Sequence, residues 1–472
     1  MDEKFVPQQY DSDEELEGDI SDLSDDDQMD GSEWAGDWGS LPDVCLRHLF
    51  GFLADRDRRS ADLTCWHWHA VMLSPSLWRY RFFYFSGRLS KFRQSEYSSA
   101  VAYARSVGVY LERLEVCVYP PRKSLVARRL EQTISGLLSE LTRVKAPLQS
   151  LSIVKLELDR TPWLPSLRNS LVNCLIEFLY RGGAKLSSVC LNGMRNHLSH
   201  GLELLSALAH SQGRLSPQCY ISSLDLRGFF SGSVHVYMNA DMPSILRQLK
   251  DLTHLSLSYS CVSDELLMAL QHRYPSRDGN PLQTLSLHCS LNEPHQQLVF
   301  GRSWETLASS YPKLKVKFTV DQVINTNWLA RILLPEIPLT EFSMTAFYSA
   351  DEDWSAKPLL SCLLPQYRRS LQYLTIDLSN CSESLDGELL ELVKACERLE
   401  ELRVWAFLDM STVERLLHIR LTQRSLLNKI RVRIYSISDD TGAQDEQLEQ
   451  ILSSHPHLPA ELQFYVMVYP FV

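Results

Sequence analysis

Apolar and polar positions divide the chain into three stretches of different period. Through about Asp37, acids, Ser and Gly dominate and no apolar spacing recurs, so residues 1–37 bury too little surface to offset chain entropy and read as a disordered acidic tail. The character changes at Trp38. Ser40-Leu41-Pro42-Asp43 has the S-x-x-D form of a capping box with proline in the first turn, which predicts a helix start. Leu46, Leu49, Phe50 and Leu53 follow at helical spacing as one apolar stripe, and the Asp55-Arg56-Asp57-Arg58-Arg59 run predicts the turn that ends it. Ala61, Leu63, Cys65 and Trp68 predict a further helix, and Leu77-Trp78, just beyond Pro75, closes the unit. Three short helices bury little of their own surface, so the stripe is expected to face a partner rather than a core of its own.

From residue 111 the dominant pattern is L-x-x-L-x-L or a close variant. It runs through Leu111-Leu114-Val116, Leu148-Leu151-Ile153, Leu186-Val189-Leu191, Ile221-Leu224-Leu226, Leu252-Leu255-Leu257 and Leu282-Leu285-Leu287. It continues through Tyr311-Leu314-Val316, Leu339-Phe342-Met344, Leu371-Leu374-Ile376, Leu399-Leu402-Val404 and Leu427-Ile430-Val432, at spacings of roughly 28 to 38 residues. The L-x-L core alternates as a strand does, while stretches such as Asp264 to Leu270 have helical spacing. One strand and one helix cannot bury each other alone, so neighbours are predicted to stack into an α/β solenoid with parallel strands on the concave face and helices on the convex face.

The expected division is a tail at 1–37, a helical module at 38–80, a linking strand and helix at 81–110, and the repeats at 111–472. Charge sharpens it. Residues 1–40 carry fifteen of the Asp and Glu residues against one Lys, leaving 46 basic and 43 acidic residues in a nearly neutral body. No apolar run is long enough to span a membrane and the first residues are acidic where a secretory signal is basic, so the chain is expected inside the cell, in cytoplasm or nucleus. Eleven cysteines with no C-x-x-C pair read as reduced, mostly buried thiols.

The helical module resembles an F-box, through L-P-D-x-x-L-x-x-L-F-x-x-L at Leu41 to Leu53, C-x-x-W at Cys65 to Trp68 and L-W at Leu77-Trp78. The resemblance implies contact with a Skp adaptor by Trp38, Leu41, Pro42, Leu46, Leu49, Phe50 and Leu53, with Trp68 and Trp78 supporting. It departs from the family at Thr64, where a hydrophobic residue is usual, and at Trp66-His67-Trp68-His69, which replaces a basic pair. The repeats resemble the cysteine-containing leucine-rich repeats of F-box proteins, best at Leu252 to Leu270 with Cys261 and at Cys396 to Leu399. The chain also looks like an F-box-only protein along Leu77 to Arg81, Leu156 to Arg160, Ala330 to Leu334 and Trp405 to Asp409. What these resemblances imply is a non-catalytic substrate receptor: the module grips the adaptor, which is carried by a cullin and its RING subunit, and the solenoid presents a protein for ubiquitination.

No phosphate loop and no serine-nucleophile elbow occurs, and no metal or cofactor is implied. His197 with His200, and His455 with His457, lack nearby Cys or acidic ligands and read as loop histidines. Cys117, Cys190, Cys261, Cys289 and Cys381 recur near strand ends and read as structural rather than nucleophilic. Candidate partner-binding residues on the concave face are Lys313, Lys315 and Lys317 on one strand, Lys429, Arg431 and Arg433 on another, and Arg403 with Trp405 on the strand before. Together they suggest a basic surface for an acidic segment with an aromatic anchor, or equally a solvated charged face. The acidic tail is a candidate to cover that surface, and Ser12 and Ser24 stand in acidic contexts suited to phosphorylation. A binding scaffold without ubiquitin transfer is the alternative role; nucleic-acid binding is disfavoured by the near-neutral body.

Overall fold

The computed structural model describes residue 38 and residues 41–53, 55–85, 94–182, 186–213, 220–271, 281–291, 293, 295–322, 326–347, 354–379, 383–436, 442–455 and 458–470. The acidic tail with Ser12 and Ser24, Cys381 and His457 lie outside the described residues. The chain divides into two compact units, Met1–Ser74 and Pro75–Val472.

The first unit contains helices α1 (Asp43–Phe52), α2 (Asp55–Asp62) and α3 (Trp66–Met72). Helix α1 starts later than the capping box predicts. Its N-cap is Pro42, with no side-chain cap; Asp43 supplies the acidic first turn and pairs with His67 at 2.8 Å. The charged run expected as a turn is instead helical, as α2. Arg58 explains this, because its Nε donates to the Phe50 carbonyl at 3.0 Å and its Nη2 to that of Gly51 at 3.1 Å, satisfying the otherwise orphaned end of α1. Helix α3 begins at Cys65, whose Sγ accepts from the Trp68 N–H at 3.5 Å. Phe50 meets Trp68 edge to face at 5.2 Å, and the Trp68 indole donates to the Trp38 carbonyl at 3.3 Å.

The second unit is built on one thirteen-stranded sheet in which each strand pairs, in parallel, with its neighbours in sequence. The strands are β1 (Tyr80–Phe85), β2 (Arg113–Val118), β3 (Ser150–Val154), β4 (Ser188–Cys190), β5 (Ser223–Leu226), β6 (His254–Ser258) and β7 (Thr284–Ser290). They continue as β8 (Lys315–Asp321), β9 (Leu339–Phe347), β10 (Tyr373–Ser379), β11 (Glu401–Ala406), β12 (Lys429–Ser436) and β13 (Gln463–Pro470). The return segments carry α4 (Gln94–Val107), α5 (Ser124–Arg143), α6 (Pro165–Gly182), α7 (Leu198–Gly213), α8 (Asp241–Gln248), α9 (Asp264–Gln271) and α10 (Gly301–Ser310). Then come α11 (Thr326–Ile332), α12 (Asp386–Ala395), α13 (Met410–Thr422) and α14 (Gly442–Ser454).

Period two sets the layers. Leu114, Leu151, Val189, Leu224, Leu255, Leu285 and Val316 stand in one register row and are fully buried on the helix-covered face; past a bulge at Val316/Lys317, where Val316 pairs with Leu339, a second buried row runs through Phe318, Phe342, Leu374, Leu402 and Ile430. Their sequence neighbours face the open side. Helix α5 shows why the other layer closes: Val126, Leu130, Ile134, Leu138 and Leu141 recur at three- and four-residue steps and are all buried. One return is not α-helical. Between β9 and β10 the chain makes a π turn at Leu359–Leu363 and a 3-10 turn at Leu364–Tyr367, where Pro365 lacks the N–H an α-helix needs.

Candidate functional site

The apolar stripe of the first unit splits between two environments. Leu46 and Phe50 are 1 and 2 % exposed and form the unit's own core, so for these two the expectation of direct partner contact is corrected. The reason is α2 and α3, which supply the cover that a stripe read from α1 alone could not show. Leu49 remains 44 % exposed, Leu41 and Leu53 are half-buried and Pro42 is exposed. Other apolar side chains of the unit are at the surface too: Val44 and Phe52 on α1, Leu63, which the apolar spacing placed in a helix, and Trp66, which is 88 % exposed. Trp38 is exposed as well, whereas Trp78 opens the second unit in the turn Pro75–Trp78 and meets Tyr103 at 6.1 Å. So many exposed apolar side chains on so small a unit make it a candidate interaction surface.

The histidines here are structural. His67 pairs with Asp43 and His69 with Asp62 at 2.9 Å, and the hydrogen bond from His67 holds the Asp43 carboxyl below its usual range. No cluster that could hold a metal occurs among the described residues. His197 precedes α7 and His200 lies within it, so that second histidine is helical rather than in a loop. Burial pushes the thiols of Cys117, Cys190, Cys261 and Cys289 up, away from the thiolate a nucleophile requires.

The basic residues of the second unit form two groups. Lys315 and Lys317 lie on β8, but Lys313 sits in the turn before it, because the Leu314 side chain enters the core ahead of the first ladder bond. Lys317 pairs with Glu341 at 2.5 Å. Strands β9 and β10 separate this group from the residues on β11 and β12, a spacing of roughly 14 Å at about 4.8 Å per strand. Arg403, Lys429 and Glu401 form a local triad, with Lys429 at 3.3 Å and Arg403 closer. Arg431 and Arg433 continue toward the C-terminal end of β12. Trp405 is not an open anchor, because the Arg433 guanidinium lies 4.7 Å from its ring centroid and Tyr469 tilts against it at 5.7 Å. A cleft of about 440 Å³ beside them is lined by Arg431, Arg433, Gln463, Phe464 and Tyr465.

A polar cleft of about 640 Å³ at the ends of β3 to β7 escapes reading from spacing altogether; Glu157, Asp159, Arg195, Arg227, Phe230 and Glu293 are among its walls. It is built from stacked turns in which Lys155, Glu157, Gly193, Arg195 and Gly228 take positive φ, with Lys155 N–H donating to the Asn192 carbonyl and Gly193 N–H to that of Arg227. Some of its charges pair: Arg227 grips Asp225 at 2.7 Å, and Glu157 takes Arg160 and Arg195. Burial pushes the Glu293 carboxyl up, against the pull of hydrogen bonds from Ser258 and Ser260. A raised acid favours folding while protonated; that contribution is complete below its unfolded value of 4.5 and is lost as pH rises through the folded value. Glu293→Gln is therefore expected to raise Tm at pH 7 and to change it little at about pH 3.5. Thermal scans at the two pH values check this, and a lower Tm at pH 7 would mean the serine bonds outweigh the burial.

A family model described as F-box-like matches residues 38–84. F-box/LRR-repeat protein 21 of Bos taurus is 23% identical over 287 residues, which cover 59% of this chain and 59% of that protein. The Mus musculus protein of the same name is 22% identical over 429 residues, 87% of this chain and 86% of that protein. Among solved structures, the crystal structure of the Rad7 and Elc1 complex in yeast matches 84% of this chain and 88% of that chain at 12% identity and a TM-score of 0.41, a likeness too loose to bear on function. The chain is thus an F-box-like domain followed by leucine-rich repeats.

Proposed function

We propose that this chain is the substrate-recognition subunit of a Skp-cullin-F-box ubiquitin ligase. The observation that carries the reading is the set of exposed apolar side chains on the F-box-like domain, Leu49, Phe52, Val44 and Trp66, on a unit whose own core is already filled by Leu46 and Phe50. Some of these residues would bind the Skp adaptor together with Pro42 and Leu41, and the adaptor would bring the cullin and RING subunit. The open face of the sheet would bind the protein to be ubiquitinated, with Arg431 and Arg433 as the leading contacts, Trp405 behind Arg433 rather than as an anchor of its own, and Lys315 as a separate contact. The reading assigns no covalent step to this chain.

Purifying the intact chain from cells and probing for adaptor and cullin tests this. Recovery of both is expected. Recovery of the adaptor without cullin would favour the second reading, a scaffold that binds a partner without ubiquitin transfer. The specific observation behind that alternative is Thr64, which is exposed and donates to the Ser60 carbonyl at 3.1 Å where the family usually has a hydrophobic contact.

A further inference from the structure

The two edges of the thirteen-stranded sheet are finished differently. At the β1 edge the helix-side residues Phe83 and Phe85 are buried and Arg81 places a charge on the strand. At the β13 edge all eight residues, Gln463 to Pro470, are uncharged. Their helix-side members Phe464, Val466 and Val468 are only half-buried, although their register partners on β12, Ile430, Val432 and Ile434, are 0 to 2 % exposed. Among the described residues β13 pairs with β12 alone. An uncharged, apolar edge strand of this length is the kind that proteins cover, because its free N–H and C=O groups template another strand.

Register shows which groups are free. Gln463 N–H donates to the Asn428 carbonyl at 2.8 Å, so Gln463, Tyr465 and Met467 turn their backbone groups toward β12. Alternation then turns those of Phe464, Val466 and Val468 outward. One strand in from the edge, Arg431 and Arg433 stand on the open face, and the cleft they share with Gln463, Phe464 and Tyr465 runs to the edge itself. The Arg433 guanidinium is held in place by stacking on Trp405.

We propose that the β13 edge accepts an extended segment of a partner protein as a fourteenth strand, one that alternates acidic and apolar side chains. The apolar set would complete the half-open layer over Phe464, Val466 and Val468. The acidic set would lie on the open face, on the side of Arg431 and Arg433; an added strand lies about 9.6 Å from β12, a gap an arginine side chain mostly spans once turned toward it, which for Arg433 means leaving the Trp405 ring on β11. A second copy of this chain is the less favoured occupant, because pairing β13 with itself brings the same two arginines of each copy toward one seam. The inference names the kind of segment that the receptor reading leaves open, but it does not need the adaptor or the cullin.

The test therefore uses the purified full chain by itself and a synthetic peptide alternating Glu and Val. Fluorescence anisotropy measures binding, and hydrogen exchange resolved to single amides locates it. The expected result is saturable binding with slowed exchange at Phe464, Val466 and Val468, at least about tenfold weaker with Arg431→Ala plus Arg433→Ala, with a peptide N-methylated on alternate residues, or with Lys in place of Glu. The arginine pair lies on the surface, and unchanged thermal melting would show that the variant is folded. Absence of binding, binding indifferent to N-methylation, or binding without protection of these amides would each overturn the proposal. So would concentration-dependent dimerisation that protects the same amides and is lost in Val466→Pro. None of these outcomes depends on whether the chain recovers cullin from cells, so the two readings fail separately.

Discussion

Leu49→Asp combined with Phe52→Asp is expected to leave the F-box-like domain folded and to abolish capture of the Skp adaptor. Both side chains project from α1 into solvent, at 44 and 76 % exposure, so the free domain loses little by the change. In a complex they would meet an apolar surface, and each carboxylate would be desolvated there without a partner. Central contacts of this kind cost about 2 to 4 kcal/mol each on truncation, and an unpaired buried charge costs more, so a loss of at least about 100-fold in affinity is expected. Phe50→Ala is expected to lose the adaptor by a different route: it removes a buried ring that packs on Trp68, and the domain should lose helical signal along with binding. Circular dichroism beside adaptor titration separates the two. Wild-type affinity in the folded double variant would mean that the exposed face of α1 is not the docking surface.

Trp163→Ala is expected to be the most damaging single change in the repeat sheet. Trp163 is 1 % exposed in the turn that leads into α6, and its indole N–H donates to the Leu156 carbonyl at 3.0 Å. Truncation leaves a large cavity and an unpaired buried carbonyl, together worth about 3 to 5 kcal/mol. In a stacked-repeat unit each layer contacts mainly its neighbours, so the loss should concentrate around β3, β4 and α6 rather than spread evenly. Guanidinium unfolding with hydrogen exchange checks both parts. A destabilisation under about 1 kcal/mol would mean that the Leu156 to Trp163 turn is not part of the core.

The repeat architecture was legible because it depends on a local code repeated many times. Each of the eleven L-x-x-L-x-L copies, from Leu111 to Val432, supplies the core-facing side chains of one strand from β2 to β12, and the period-two argument places those side chains on one face. The two end strands were harder to read. Tyr80 to Phe85 reads only as a linking strand, and Gln463 to Pro470 offers no leucine frame at all; both join the sheet because a neighbour's ladder recruits them. The charged run at Asp55 to Arg59 looked like a turn since nothing in its pattern announces that Arg58 will reach back to the end of α1. Likewise, alternation put Lys317, Arg403 and Lys429 on the open face, but the pairing that consumes them with Glu341 and Glu401 is set by register between strands distant in sequence.

Sequence alone therefore determined the division into a small helical module and a long repeat array, the parallel α/β class of that array, and the face to which most side chains turn. These follow from periodicity, which is a property of neighbours along the chain. Only the tertiary structure decided which members of the Leu46 to Leu53 stripe become core and which stay at the surface, which cations of the open face pair with Glu341 and Glu401, and that β13 leaves an uncharged, half-covered edge. Those outcomes depend on what packs opposite each residue, and that is fixed by contacts between segments far apart in the sequence.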